Sequence, residues 1–299
     1  MRLNTLNKVG MATLATELMY FADSSLKMSI SKLQSIQRSQ GTSATLVLDS
    51  TVFHPQGGGQ PSDIGSILNL RNKNLFKVIS ATASPYLTYT AFGKNKDGIV
   101  HHNGYFLNSD NADWEPGDSV EIRVDEDLRN LHARIHSAGH VIDVAVERLG
   151  IKLKPSKAYH FPEGPYVEYI VLSDVGSEMH SKKQWMKNEI EQCCKDLVAA
   201  NGIVEIRLEA KPGFAEEHTS KRYTFIGTNR SIFMEGVGCF CGGTHVQRLG
   251  EIQSMNIRKL DYKSSKSILR ICYSVENVKI YMQDTSFVDF ENIHAFEGV

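Results

Sequence analysis

The rhythm of hydrophobic and polar residues changes once along the chain, near Asp125. Before it, from about residue 12, short apolar runs alternate at period two, as in Thr45-Leu-Val-Leu-Asp49 and Ser119-Val-Glu-Ile-Arg-Val124. Such alternation puts one side of a strand in a core and the other in water. Gly, Asn and Asp clusters punctuate the segment, and Trp114-Glu-Pro-Gly-Asp118 is a turn leading into the second run. Several short strands without a long helix predict a small β-barrel. After Asp125 the period lengthens. Leu131, Ile135, Ile142, Val146 and Leu149 recur at helical spacing from Glu126 to Leu149, with Gly150 as a stop. Tyr166–Leu172, Ile203–Leu208 and Ser267–Val275 read as strands. Ser177–Ala200 reads as a second helix whose inner face is Trp185, Met186, Ile190 and Leu197. From Asn277 onward a short helix and a tail are expected. The fold class is therefore α+β: a small N-terminal barrel domain over 1–125, then an α+β domain over 126–299.

Beside the apolar stripe of the first helix runs a row of histidines, His132, His136 and His140, at successive i, i+4 positions. Far downstream comes Cys241-Gly-Gly-Thr-His245. A lone His-x3-His is commonly two histidines sharing a helix face. A thiolate and an imidazole brought together by a Gly-Gly turn change that weighing. Three imidazoles and one thiolate suit a tetrahedral zinc ion, with ligands about 2.0–2.3 Å away. Spacing does not choose between His132/His136 and His136/His140. Cys239, two residues before Cys241, is a substitute ligand, a thiol lining the site, or a side chain buried beside the turn; burial is the simplest of the three.

A zinc with four protein ligands is normally structural, whereas hydrolytic sites keep a position open for water. Two escapes exist: one His leaves, or the ion becomes five-coordinate. No G-x-S-x-G elbow or Ser-His-Asp order is visible, and Ser137 occupies the place where H-E-x-x-H puts its Glu. Asp63 and Glu168 are candidate acid/base groups that structural carboxylates far outnumber, and the general base stays unnamed. Gly57-Gly-Gly-Gln60 reads as a tight turn or a place of close backbone approach. No Lys-Ser/Thr follows it, so it is not a phosphate loop.

Four stretches carry a family resemblance: Phe53-His-Pro-Gln-Gly-Gly-Gly-Gln-Pro-Ser-Asp-Ile-Gly65, His136-Ser-Ala-Gly-His140, His160-Phe-Pro-Glu-Gly-Pro-Tyr-Val-Glu-Tyr169 and Cys241-Gly-Gly-Thr-His-Val246. In this order they resemble the AlaX proteins, free-standing relatives of the editing domain of alanyl-tRNA synthetase. The resemblance implies a small barrel ahead of an editing domain, and one zinc held by His136, His140, Cys241 and His245. His132 is then an outer partner or a flanking residue. It also implies a hydrolase that removes serine or glycine wrongly attached to the tRNA for alanine. Gly57, Gly58, Gly59 and Gln60 would lie against the pocket, with Gln60 on the substrate side. The rival readings are a non-catalytic tRNA-binding module with a structural zinc, and a zinc hydrolase of another small ester or amide.

A formal net charge of −1 leaves no global attraction for nucleic acid, so any tRNA contact must come from a local patch. Arg258, Lys259, Lys263, Lys266 and Arg270 form one, either as a solvated face or as a grip on acceptor-arm phosphates. Five cysteines without disulfide spacing fit a reducing compartment. Cys193 and Cys194 are read as packing or surface residues of the second helix. The first residues contain Arg2 and Lys8 and no acid before Glu17, which only faintly resembles a mitochondrial transit peptide, and Met11 is an alternative start. The cytosol is the expected location. No apolar run of about 18 residues and no nucleotide-binding fingerprint is present.

Overall fold

The computed structural model describes residues 15–83, 98–107, 113–172, 179–210 and 228–275. The expectations for the N-terminal leader and for the segment from Asn277 lie outside them. Eight strands come first: β1 (Glu17–Leu18), β2 (Met28–Arg38), β3 (Ser43–Leu48), β4 (Ser50–Thr51), β5 (Gly65–Asn69), β6 (Leu75–Ala83), β7 (Val100–Phe106) and β8 (Ser119–Val124). Six of them close a barrel in the order β2-β3-β7-β6-β5-β8, and the parallel pair β1–β4 lies outside it. The period-two pattern explains the inside. In β8, Val120, Ile122 and Val124 are buried while Ser119, Glu121 and Arg123 are not. With Leu46, Leu48, Ile67, Phe76 and Val78 they build one apolar core.

Two histidines, His102 and His54, are buried in this part of the molecule. His102 lies 3.1 Å from the Leu46 carbonyl through Nδ1 and 2.8 Å from the Thr51 hydroxyl through Nε2. A neutral ring satisfies both contacts, Nδ1–H donating and Nε2 accepting. Burial pushes the pKa of His102 down to about 4, and burial does the same to His54, also to about 4. An unfolded histidine titrates near 6.5, so below that pH the unfolded chain binds protons that the folded chain refuses. This contribution to stability is complete above pH ~6.5 and is lost as pH falls toward 4. Urea midpoints measured from pH 7 to 4.5 should therefore fall steeply, and more gently in His102→Gln, by on the order of 2 kcal/mol at the acid end. Parallel curves for the two proteins would remove His102 from the account.

After β8 the chain enters α1 (Glu126–Arg148), capped by the Asp125 carboxylate accepting from the Leu128 N–H at 3.0 Å. There follow β9 (Leu153–Tyr159), β10 (Tyr166–Val171), α2 (Met179–Ala200), β11 (Val204–Ala210), β12 (Thr228–Met234), β13 (Val237–Phe240), β14 (Met255–Lys263) and β15 (Ile268–Val275). One antiparallel sheet has the order β14-β15-β10-β9 and a smaller one β11-β12-β13. A second core joins Ile135, Ile142 and Val146 of α1 to Met186, Ile190 and Leu197 of α2 and to Tyr169 and Ile271 of the sheet. Trp185, expected on this inner face, is 52% exposed. The stripe runs through 186, 190, 194 and 197, and position 185 is rotated a further 100° away. Cys194 is buried on the stripe and Cys193 half-buried beside it. Among the described residues no helix is long and apolar enough to cross a membrane.

The two cores are bolted together by a fully buried ion pair between Arg129 of α1 and Asp63. Arg129 also donates to the carbonyls of Val52, Ser24 and Leu26, the last two at 3.4 and 3.2 Å. Asp63 further accepts the His54 N–H at 2.6 Å. Asp63 is thus saturated by structural partners. Glu168 likewise accepts two N–H groups of Arg270, at 2.9 and 2.6 Å.

Candidate metal centre

Four side chains from two distant segments converge where α1 meets the turn after β13. His136, His140, Cys241 and His245 each offer one ligand atom, and these atoms all lie within 4.8 Å of one another. Cys241 Sγ is 3.3 Å from His136 Nε2 and 3.3 Å from His245 Nε2. The turn can bring them so close because position 243 is glycine: a Cβ there would stand 2.2 Å from the His136 ring. Arg230 of β12 holds the turn by donating to the Cys241 carbonyl at 2.7 Å.

Each imidazole has its other nitrogen engaged by a partner outside the cluster. His136 Nδ1 is 2.7 Å from Gln60 Oε1, His245 Nδ1 is 3.3 Å from Ser137 Oγ, and His140 Nδ1 is 3.4 Å from Asp143 Oδ2. Such outer partners fix the tautomer and ring orientation of metal-binding histidines. His140 Nε2 is buried and has no hydrogen-bond partner in the protein. A buried nitrogen lone pair left over beside a thiol and two other imidazoles fits a cation ligand.

The electrostatics agree. Burial, followed by the neighbouring imidazoles, holds His136 and His245 well below the usual histidine range, so both are neutral donors. Burial alone would also lower His140, but the nearby Asp143 carboxylate and the Cys239 and Cys241 sulfurs outweigh it and hold it well above. Burial would raise the Cys241 thiol, yet the contact with His140 and the charge of Arg230 bring it down.

Two more residues complete the setting. The His160 ring stacks on His136 with centroids 4.2 Å apart, and its Nδ1 is 2.7 Å from the Tyr273 hydroxyl, which donates to the Ile135 carbonyl at 3.0 Å. Burial pushes His160 down to about 3, so it is neutral. Cys239, on β13, is only half-buried, and its Sγ is 3.3 Å from His140 Nδ1. It therefore lies against the centre instead of being packed away beside the turn.

The Gly57–Gln60 turn reaches this centre from the barrel side. Gln60 is fully buried; it accepts from the Thr244 N–H and donates to the Thr244 hydroxyl, both at 2.9 Å, besides its contact with His136. Gly57 and Gln60 exchange backbone hydrogen bonds of 3.2 and 3.0 Å, and Gly59 accepts from the His160 N–H at 2.8 Å. Gly59 has φ +80, and a Cβ there would lie 2.5 Å from the Ala158 carbonyl oxygen, so only glycine fits. Gly58 is the exposed member of the turn. Gln60→Ala should weaken zinc affinity roughly 10- to 100-fold, the usual effect of losing an outer partner of a ligand. Chelator competition measures it, and an unchanged affinity would return Gln60 to the role of a plain turn residue.

No family model matches the chain. An alanyl-tRNA editing protein AlaX-M of Methanosarcina mazei is 29% identical over 269 residues, covering 87% of this chain and 96% of that protein. Its namesake in Methanosarcina acetivorans is 27% identical, with 84% and 96% covered. The chain is a relative of the AlaX editing proteins. It is also 30% identical over 254 residues to an alanine–tRNA ligase of Methanobrevibacter smithii, of which it spans 25%.

Of the three histidines in the row, the structure groups His136 and His140 with the turn. His132 instead points its Nδ1 toward Asp63, 4.0 Å away. Gln60, expected on the substrate side, has no exposed surface. Sequence reasoning assigned no role to Asp143, Ser137 or His160. The i, i+3 spacing of His140 and Asp143 was the one local signal available.

Proposed function

We propose that this chain is a trans-acting editing hydrolase that deacylates mischarged tRNA for alanine, with serine and then glycine as the rejected amino acids, and that it uses one zinc ion. His136, His140, Cys241 and His245 would hold the ion, which when bound supplies Lewis acidity at an ester carbonyl or acidifies a water molecule. The observation that carries this reading is the four-donor cluster in a relative of AlaX proteins. Gln60, Ser137 and Asp143 orient the donors. His160, Tyr273 and the Gly57–Gln60 turn wall the centre on one side and exclude water there. The backbone of Gly57, Gly58 and Gly59 is read as the substrate-facing edge. The partition into a barrel domain over 1–125 and an editing domain over 126–299 belongs to the same reading, as does a cytosolic location, which suits five free cysteines.

A second reading is favoured by the donor count: four protein ligands ordinarily close a structural zinc site, and the chain would then bind tRNA without catalysis. One panel separates them. Serine, glycine and alanine are loaded on the same tRNA and incubated with the zinc-loaded protein and with protein stripped by chelator. Hydrolysis of the seryl and glycyl esters that disappears on stripping and returns with zinc supports the enzyme. Tight tRNA binding with no hydrolysis by the folded, loaded protein supports the module.

A further inference from the structure

The outer face of the four-stranded sheet carries rows of paired residues from strand to strand. One row is Tyr159, Tyr166, Cys272 and Lys259; the next is Lys157, Glu168, Arg270 and Asp261. Residues paired across neighbouring strands point to the same side of a sheet. Three aromatic rings stand almost parallel at the edge. Tyr159 stacks on Phe161 at 4.5 Å and 11°, and on Tyr166 at 5.5 Å and 18°. The guanidinium of Arg270 lies 4.0 Å over the Tyr166 ring and closes that end. Among the described residues no ring continues the stack beyond Phe161.

This geometry differs from the barrel core, where Phe53–His102, Phe76–Phe106 and Phe106–Trp114 all meet edge to face at 63–80°. Edge-to-face packing fills space; a parallel, half-exposed stack leaves a π face open. Lys157, on the strand of Tyr159, is exposed beside it, and Lys259 is exposed on the same face two strands from Tyr166. In a chain of net charge −1, cations flanking stacked aromatics are a local match to a single nucleic-acid strand, whose bases stack and whose phosphates are negative.

The position of the stack adds to this. His160, whose ring packs on His136, is flanked in sequence by Tyr159 and Phe161. The same short segment therefore presents the metal centre on one side and the stack on the other.

We propose that the Tyr166–Tyr159–Phe161 stack is a platform whose open Phe161 end takes an unpaired base of the tRNA 3′ end, behind the aminoacylated terminus, with Lys157 and Lys259 on the phosphates. The identity of the RNA rests on the editing reading; the platform itself does not need hydrolysis.

The test uses uncharged RNA and the zinc-loaded full chain. Binding of a tRNA minihelix with its unpaired ACCA end is compared with the same minihelix made blunt. The overhang should improve affinity about tenfold, the scale of one base–aromatic stack. Phe161→Leu should reduce that preference to about twofold or less, with zinc content and melting temperature unchanged, while Tyr159→Phe keeps it. Lys157→Gln with Lys259→Gln should weaken both RNAs equally and flatten the salt dependence. Equal binding of the two RNAs by the unaltered protein would overturn the platform, as would a preference surviving in Phe161→Leu. An overhang preference in a protein that hydrolyses nothing would sink the editing reading and keep the platform. Hydrolysis without the preference would do the reverse.

Discussion

Cys241→Ala should empty the metal centre. The thiolate is the one donor that brings a full negative charge, and it lies 3.3 Å from two of the three imidazoles. Its loss should lower zinc affinity by more than the roughly 10- to 100-fold typical of a lost outer partner. Metal analysis after dialysis should find about one zinc per unaltered chain and almost none in the variant. Deacylation, if present, should fall with it. His136→Ala should behave alike and His132→Ala should not, because His132 faces Asp63. Stoichiometric zinc in both Cys241→Ala and His136→Ala would sink the donor assignment. Zinc kept by His140→Ala but lost by His132→Ala would move the helix pair one turn upstream.

The largest loss of stability should come from Asp63→Asn. Arg129 and Asp63 are both buried, and Arg129 has no other carboxylate among its described hydrogen-bond partners. Removing one member of a buried pair leaves an uncompensated charge and costs about 3–5 kcal/mol. Replacing both, as Asp63→Asn with Arg129→Met, should recover part of that, since an apolar side chain needs no counter-charge. Urea unfolding of the four proteins gives the cycle. A single-variant loss below about 1 kcal/mol would place the pair among ordinary surface bridges.

Local patterns made much of this molecule readable. Alternation marked the strands of the barrel because one face of each strand must meet a core, and helical spacing marked α1 for the same reason. The four donors were visible as two pairs because a rigid helix turn and a Gly-Gly turn are short-range devices. What spacing left open depends on contacts across long stretches of chain. His132 and His140 are equivalent relative to His136 on a helix, and the positions of Asp63 and of the Cys241–His245 turn, both far away in sequence, separate them. Gln60 touches His136 and Thr244, 76 and 184 residues distant, and no periodicity encodes that. Trp185 was misplaced because an apolar residue next to a stripe looks like part of it until the partner surface is known. Cys239 was read as buried beside the turn because its place two residues before Cys241 says nothing of what stands against its side chain.

The Gly57–Gln60 turn makes the centre report on assembly. A fragment starting at residue 126 would keep all four donors but lose Gln60, leaving His136 Nδ1 and the Thr244 N–H without their acceptor. Such a fragment would bind metal with a ligand free to rotate. A bound ion would be held by oriented ligands only once barrel and helix have closed on each other, so tight zinc retention would act as a checkpoint on the finished fold. Any exchange of the barrel between related chains must carry this turn with it, or the centre on the far side of the junction loosens.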